Sequence, residues 1–579
     1  MSPRAFLILS FACCTAAVPS SREFWFRDVA AERGITLKNV SGSPEKNFLV
    51  EQPGNGLAFF DYNNDGWADL LLVNGSTIAQ FQKGGSPVAR LYKNLGGGRF
   101  QDVTAGSGLE KLRGWAMGVS TADYNNDGFE DVYITGYGRN FLLRNNGNGT
   151  FTDVTEAAGV QDLSFSTGSA WGDIDRDGFV DLYVSNYVDV AITDFPEPGS
   201  NPTCRYRGIP VACGPRGMKA AKDHLFRNNG NGTFTDVTDS SGVGKVTPRY
   251  GYGVAMGDVD GDGWIDIFVA NDSGPNYLFH NLGEGKFQDV ALQAAVAFNE
   301  DGHEQAGMGV SLQDYNNDGR LDIYVTTFSD DYNTLFRNDG GLSFTDVTGP
   351  AGLRSATWKE LGWGTALIDL NNDGFKDIFV ANGHVYPVVD RYGFSSYAQR
   401  NQLFENIGNG QFVDRTLQAG PGLQILKSSR GAACADIDHD GRVDIGVINI
   451  DDLPNLLLNE SKRNHWLAVN LKGTKSNRSA VGAIVTAAAG NLAQTFLVEA
   501  GSSHMSQNDK TVHIGLRENS RLDRLEVLWP SGKKDRFTGL AVDRILTIDE
   551  DKGIENSPGY HEGAKKAASE FQNVRPQPQ

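Results

Sequence analysis

At 579 residues, with a formal charge of −19, 70 glycines and an apolar fraction of 40%, the chain is too long for one ordinary core and too acidic to seek nucleic acid or anionic lipid. After the N-terminus no apolar run is long enough to span a bilayer as a helix, and five cysteines are too few for a disulfide-scaffolded fold. What remains is a turn-rich β protein, multidomain or built of repeats, whose charge favours cations as partners.

The chain opens on a segment that reads as a secretory signal over residues 1–20. Arg4 gives a positive start, Ala5 to Ala17 an apolar stretch, and Thr15, Ala16 and Ala17 small residues near a cleavage point. Cleavage there discards Cys13 and Cys14. Of the three cysteines left, Cys204 and Cys213 lie close in one loop and are placed to pair after export, whereas Cys434 reads as a buried free thiol.

Past the signal, one nine-residue pattern, D-x-[DN]-x-D-G-x-x-D, recurs seven times, always with Gly sixth and Asp ninth. Each copy lies between a Gly/Ala-rich run such as 253–257 and a β-branched, aromatic one such as 265–270. A third run, a Gly/Asn turn and a fourth run carrying F-x-D-V-T follow, as at 151–155 and 234–238. Four strands at a period of roughly 50 to 60 residues predict a propeller blade. Seven copies predict an all-β, seven-bladed β-propeller over residues 24–460, with the Gly/Ala strand innermost. The seventh repeat stops after its third strand at 456–459, while Phe26, Arg27, Asp28, Val29 and Ala30 carry the fourth-strand signature ahead of the first repeat. The N-terminal strand is therefore expected to pair into the last blade and close the ring.

The acidic loops are candidate metal sites. Calcium takes six to eight oxygen ligands, and side-chain oxygens at alternate positions of a short loop can wrap around it while Gly allows the sharp turn. The candidate ligands are Asp61, Asn63, Asp65 and Asp69 in the first repeat and Asp123, Asn125, Asp127 and Asp131 in the second. The third and fourth supply Asp173, Asp175, Asp177 and Asp181, and Asp258, Asp260, Asp262 and Asp266. The last three supply Asp314, Asn316, Asp318 and Asp322; Asp369, Asn371, Asp373 and Asp377; and Asp436, Asp438, Asp440 and Asp444. Asp, Asn and Gly also form turns without metal, but turn geometry does not explain acids kept at positions one, five and nine in seven copies. Affinity on the order of 10⁻⁴ to 10⁻³ M is expected for such extracellular modules. Seven calcium ions would carry +14 and bring the formal −19 to −5.

The loops and their strands resemble FG-GAP and VCBS repeats, as in the propellers of integrin α-chains. Cys204, Tyr206, Gly208, Pro210, Val211, Cys213, Gly214 and Pro215, with Asn382, Gly383, His384, Val385 and Tyr386, are similar to the cartilage acidic protein family. That resemblance implies a propeller joined to an ASPIC/UnbV domain. The C-terminal part resembles such a domain through Leu471, Gly473, Thr474, Ser476, Asn477, Arg478, Gly482 and Ala483, then Ser506, Gln507, Asn508 and Asp509, then Trp529, Pro530, Ser531 and Gly532. The spacing over 465–550 predicts about six short strands in a small antiparallel β-sandwich, and the tail over 551–579 reads as disordered.

Insertions at 74–90, 186–222 and 382–400 all follow second strands, so they should share the face opposite the acidic loops. On that face Tyr187, Arg205, Tyr206, Arg207, His384 and Tyr386 are candidates for contacting an extracellular glycan or protein, or else pack the loops internally. No G-x-S-x-G, H-E-x-x-H or phosphate loop is present. The chain is therefore expected to be a secreted calcium-binding propeller acting as an extracellular binding, adhesion or scaffold module for a glycan or protein rather than to catalyse, with an extracellular polysaccharide-acting hydrolase or lyase as the alternative.

Overall fold

The computed structural model describes residues 23–555; the expected leader at 1–20 and the end of the tail lie outside them. Seven antiparallel sheets follow one another along the chain, each running outward from an inner strand; six have four strands, and the second gains Ser86–Pro87 as a fifth against its innermost strand. In blade 4 these strands are Gly251–Gly257, Asp266–Asn271, Tyr277–Asn281 and Phe287–Asp289. In blade 7, Ser429–Ala435, Asp444–Asn449 and Asn455–Asn459 are completed by Phe26–Asp28, which pairs antiparallel with Asn455–Asn459 as the sequence predicts.

Glycine is innermost because there is no room for a Cβ. A methyl group on Gly118, Gly168, Gly253, Gly309, Gly364 or Gly431 would run into backbone of the next blade, and at Gly431 the neighbour is blade 1, so the ring is closed. A second device also joins the blades. The Asn that ends each third strand, Asn94, Asn145, Asn228, Asn281, Asn338, Asn406 or Asn459, is buried. Its amide nitrogen reaches one carbonyl in its own blade and one in the preceding blade. Asn228 Nδ2, for example, donates to Val180 O at 3.0 Å and Tyr124 O at 2.8 Å, and Asn94 Nδ2 donates to Ile437 O of blade 7 at 2.9 Å. Asn228→Ala strips donors from two buried carbonyls and leaves a cavity, so it is expected to cost about 2 to 4 kcal/mol in urea unfolding.

The C-terminal domain is two four-stranded sheets around Leu467, Val485, Ile514, Leu525, Trp529 and Ile548. Eight strands replace the predicted six. One pair departs from the antiparallel expectation, because His465–Lys472 and Arg544–Asp549 run parallel. The last strand, Gly553–Glu555, carries the sheet past the expected boundary at 550. Glu550 explains the Gly473 to Ser476 and Ser531 motifs. It is fully buried and accepts the backbone N–H groups of Thr474, Lys475 and Ser476 at 2.7 to 2.9 Å and the hydroxyl of Ser531 at 2.5 Å. Burial pushes its pKa up, but these donors outweigh it and hold the carboxyl at about 2.

This domain sits on the acidic-loop end of the ring. His513 Nε2 lies 2.8 Å from Asn372 Oδ1, the Arg478 N–H donates to Asn126 Oδ1 at 2.9 Å, and Lys510 pairs with Glu130 at 2.5 Å. From it, residues 500–509 pass into the axis of the propeller. Trp171 N donates to Ala500 O and Val119 N to Met505 O, while Val310 and Ser503 exchange backbone hydrogen bonds. Gln507 takes the Thr121 N–H at 2.7 Å, and Ser503 Oγ joins blades 6 and 7 through Thr365 N and Ala432 O. The Ser506 to Asp509 motif is thus an axial plug. Sequence periodicity carried no sign of it.

Candidate functional site

Two regions carry chemistry, the acidic loops at one end of the ring and a cavity at the other. All seven predicted quartets lie in these loops, the ninth-position Asp opening the second strand of each blade. In blade 2, Asp123 accepts the N–H groups of Asp127 at 3.0 Å and Gly128 at 2.7 Å, and Asp127 accepts that of Phe129 at 3.0 Å. The fourth position, which the pattern leaves free, turns through the left-handed region. Asn64, Asn126, Arg176, Asn317, Asn372 and His439 sit there at φ 56° to 60°, a conformation asparagine tolerates through its short polar side chain. Most of these side chains reach the next blade, as Asn64 Nδ2 does to Gly128 O at 2.8 Å, and His439 stacks on Trp67 of blade 1 at 3.9 Å.

The donor set fits a hard divalent cation. Carboxylates of Asp173, Asp175 and Asp181 lie within 4.8 Å of one another, as do those of Asp258, Asp260 and Asp262 and those of Asp436, Asp438 and Asp444. Burial, reinforced by neighbouring carboxylates, raises Asp61 and Asp258 to about 6, Asp123 and Asp173 to about 7, and Asp69, Asp322 and Asp369 to about 8. Asp131 Oδ2, Asp175 Oδ1 and Asp438 Oδ1 are buried and accept no hydrogen bond. Anionic oxygens buried without donors call for a cation. In blade 4, His280 adds a nitrogen 3.0 Å from Asp266 Oδ1.

At the other end, the insertions after the second strands of blades 3 and 6 fold over the axis. Cys204 and Cys213 are disulfide-bonded, and the loop they staple sets Tyr206 against Phe328, His384, Tyr386 and Phe394 at ring-centroid distances of 5.2 to 5.8 Å. A cavity of about 430 Å³ results, lined among others by Gln52, Tyr187, Arg205, Tyr206, Arg216, Tyr252, Asp272, Asp330, Asp331, Trp363 and Tyr386. Beneath it the plug ends in His504, whose ring packs on Trp363 at 4.7 Å and Tyr252 at 5.6 Å. A more open hollow of about 610 Å³ beside Trp358 lies away from these convergent polar groups. With both cysteines replaced by serine, loop entropy of about 3 kcal/mol is released locally. Hydrogen exchange should quicken over residues 196–218, while the melting temperature moves by less than about 3 °C.

Of the six residues singled out on this face, Tyr187, Arg205, Tyr206 and Tyr386 line the cavity. Arg207 and His384 stand behind it. Arg207 pairs with Asp330, which also accepts the Tyr206 hydroxyl at 2.7 Å. His384 is fully buried, and its Nδ1 accepts the Tyr386 N–H at 3.1 Å, so the ring proton sits on Nε2, 3.4 Å from Ser329 Oγ. Burial, then Arg430, lowers its pKa to about 3. Arg430 is itself fully buried over Trp363 and is satisfied by carbonyls of Gln52, Gly383 and Ser429. Sequence reasoning missed Gln52, Asp272 and Trp363. The available sign was a bulky aromatic beside glycine in the inner strands, at Trp115, Tyr252 and Trp363.

Residues 61–134, 123–184, 211–269, 258–325 and 314–380 match the FG-GAP-like repeat family, together more than half of the chain, and residues 473–555 match the ASPIC and UnbV family. Cartilage acidic protein 1 of Homo sapiens is 28% identical over 73% of this chain and 61% of its own length, and that of Mus musculus is 27% identical over 78% and 68%. The chain thus spans about three fifths of the human relative. A lectin of Agrocybe aegerita, described for recognition of non-reducing terminal N-acetylglucosamine, covers 69% of this chain and 86% of its own at 16% identity and a TM-score of 0.37. A likeness that loose bears on neither fold nor ligand. The repeat matches, which fall in the first six of the seven blades, and the domain that caps the ring identify the chain as a member of the FG-GAP repeat family that carries an ASPIC and UnbV domain.

Proposed function

We propose that the chain is a secreted binding module, held in shape by calcium in its acidic loops, whose recognition surface is the cavity face opposite those loops. One observation carries the reading. Two segments well separated in the chain, around Cys204 to Pro215 and around His384 to Tyr386, meet in a single aromatic-walled cavity at the axial mouth. A rigid ring that presents converging loops over one concavity is the usual setting for ligand recognition. The sequence over residues 1–20, with its positive start and apolar stretch, supports export.

Binding without turnover is supported by the state of the nearby histidines. For Ser329 to be activated, His384 would have to accept its proton, but the lone pair of His384 faces the Tyr386 N–H and its Nε2 proton faces Ser329. His504 is likewise held neutral by burial, at about 3. The test is an array of extracellular proteins and glycans probed with the full chain in calcium and in EDTA. Calcium-dependent, saturable binding that is lost when residues 196–218 are replaced by a short linker is expected. Binding indifferent to that replacement, or cleavage of the arrayed polysaccharides, would overturn the reading.

A further inference from the structure

We infer that the axial cavity takes a single neutral sugar ring at the end of a glycan. The inference rests on the reading of this face as the binding surface and goes further by naming the ligand class. A volume of about 430 Å³ is within the range of small-ligand sites. Its walls combine two kinds of group. Half-buried Tyr206 and Phe328 offer apolar surface, the complement of the C–H face of a pyranose, backed by the buried rings of Tyr187, Tyr252, Trp363 and Tyr386. Asp272, Asp330 and Asp331 offer carboxylates that keep oxygen capacity beyond the protein bonds they accept, from Tyr187 at 2.5 Å and Ser273 at 2.8 Å on Asp272, from Tyr206 at 2.7 Å and Arg207 on Asp330, and from Gln305 at 2.9 Å and the Tyr332 N–H at 2.8 Å on Asp331.

Gln52 decides between ligand classes. It is 5% exposed, it lines the cavity, and its Nε2 has no partner in the protein. A buried amide donor left bare is costly, and an occupant that brings an acceptor to this wall relieves the cost. The carboxylates at the same time ask for donors. The lining sets Arg205 and Arg216 against Asp272, Asp330 and Asp331, so its charge is close to balance and gives a phosphate or acidic sugar no net attraction. An ammonium ligand would leave the Gln52 amide bare, and an apolar ligand would leave both kinds of group unpaired. Hydroxyls donate and accept at once and satisfy both. Beneath the floor His504 repeats the pattern: Nε2 lies 3.0 Å from Pro53 O, while the buried Nδ1 has no partner.

The experiment uses the full chain in calcium. Neutral oligosaccharides are titrated while tryptophan fluorescence is followed, since Trp363 is in the wall, and the titration is repeated with Gln52→Leu and Asp331→Asn. The expected result is saturable quenching by neutral glycans, weakened about tenfold or more in each variant at unchanged melting temperature. The variants' far-UV spectra and melting curves exclude misfolding as the cause. Binding only of peptides, or only of sulfated or sialylated glycans, overturns the sugar class while leaving this face as the binding surface. Neutral-glycan binding that both variants leave intact overturns the cavity as its site. If neither glycans nor proteins bind, both this inference and the reading beneath it fall.

Discussion

Excess EDTA is expected to lower the melting temperature of this chain by about 10 to 15 °C. At millimolar calcium and affinity near 10⁻⁴ M, each loop would contribute about 1.4 kcal/mol. Seven loops give about 10 kcal/mol, which the unfolding entropy of a propeller this long converts to a shift at the lower end of that range. The pH dependence should reverse on chelation. Without metal, the loop carboxyls titrate in the folded chain at about 6 to 8, well above the unfolded value. The folded state then binds more protons than the unfolded one, so stability rises as pH falls from 8 toward 5.5. With calcium bound, protons compete with the ion for the same oxygens, and stability falls over that interval. Differential scanning calorimetry at pH 5.5 and 8, with and without EDTA, reads all four conditions. Melting temperatures unmoved by EDTA at pH 8 would count against calcium.

The second large effect is expected at the axis. A side chain at Gly56 would occupy the position of the Met505 carbonyl, and its near neighbour Leu57 holds the plug through Ser506 Oγ at 3.2 Å and through Gln507 N. Gly56→Val should therefore expel residues 500–509 from the ring rather than merely strain it. The released plug would forfeit buried hydrogen bonds to blades 1, 2, 3, 5, 6 and 7, a loss of several kcal/mol. The outcome to look for is one calorimetric transition splitting into two, with rapid proteolysis over residues 460–464. A single transition at the original temperature would show that the ring tolerates the change and that the plug is not held as described.

The repeat was legible because one local pattern fixes much of the blade. The Asp at the first position, the Gly at the sixth and the Asp at the ninth each answer to backbone groups within a few residues, so the spacing alone reports their geometry. Ring closure was legible for a similar reason, since Phe26 to Ala30 carry a signature whose partner is missing elsewhere. The Asn ending each third strand recurs as faithfully as the acids, yet its partners are carbonyls of another blade, which local spacing does not reveal. The plug and the cavity were the least legible. Gln52, Asp272 and Trp363 lie on separate elements, and each taken alone reads as an ordinary loop or core residue.

Because Phe26–Asp28 completes a sheet begun at Ser429–Ala435, the segment made first during synthesis waits longest for its partner. Arg27, for instance, pairs with Glu460, 433 positions later. A nascent chain halted before that point is not a smaller propeller. It is an open spiral with an unpaired strand edge at each end, the form most prone to join another copy. Premature termination or early proteolytic nicking should therefore yield aggregates rather than partial function.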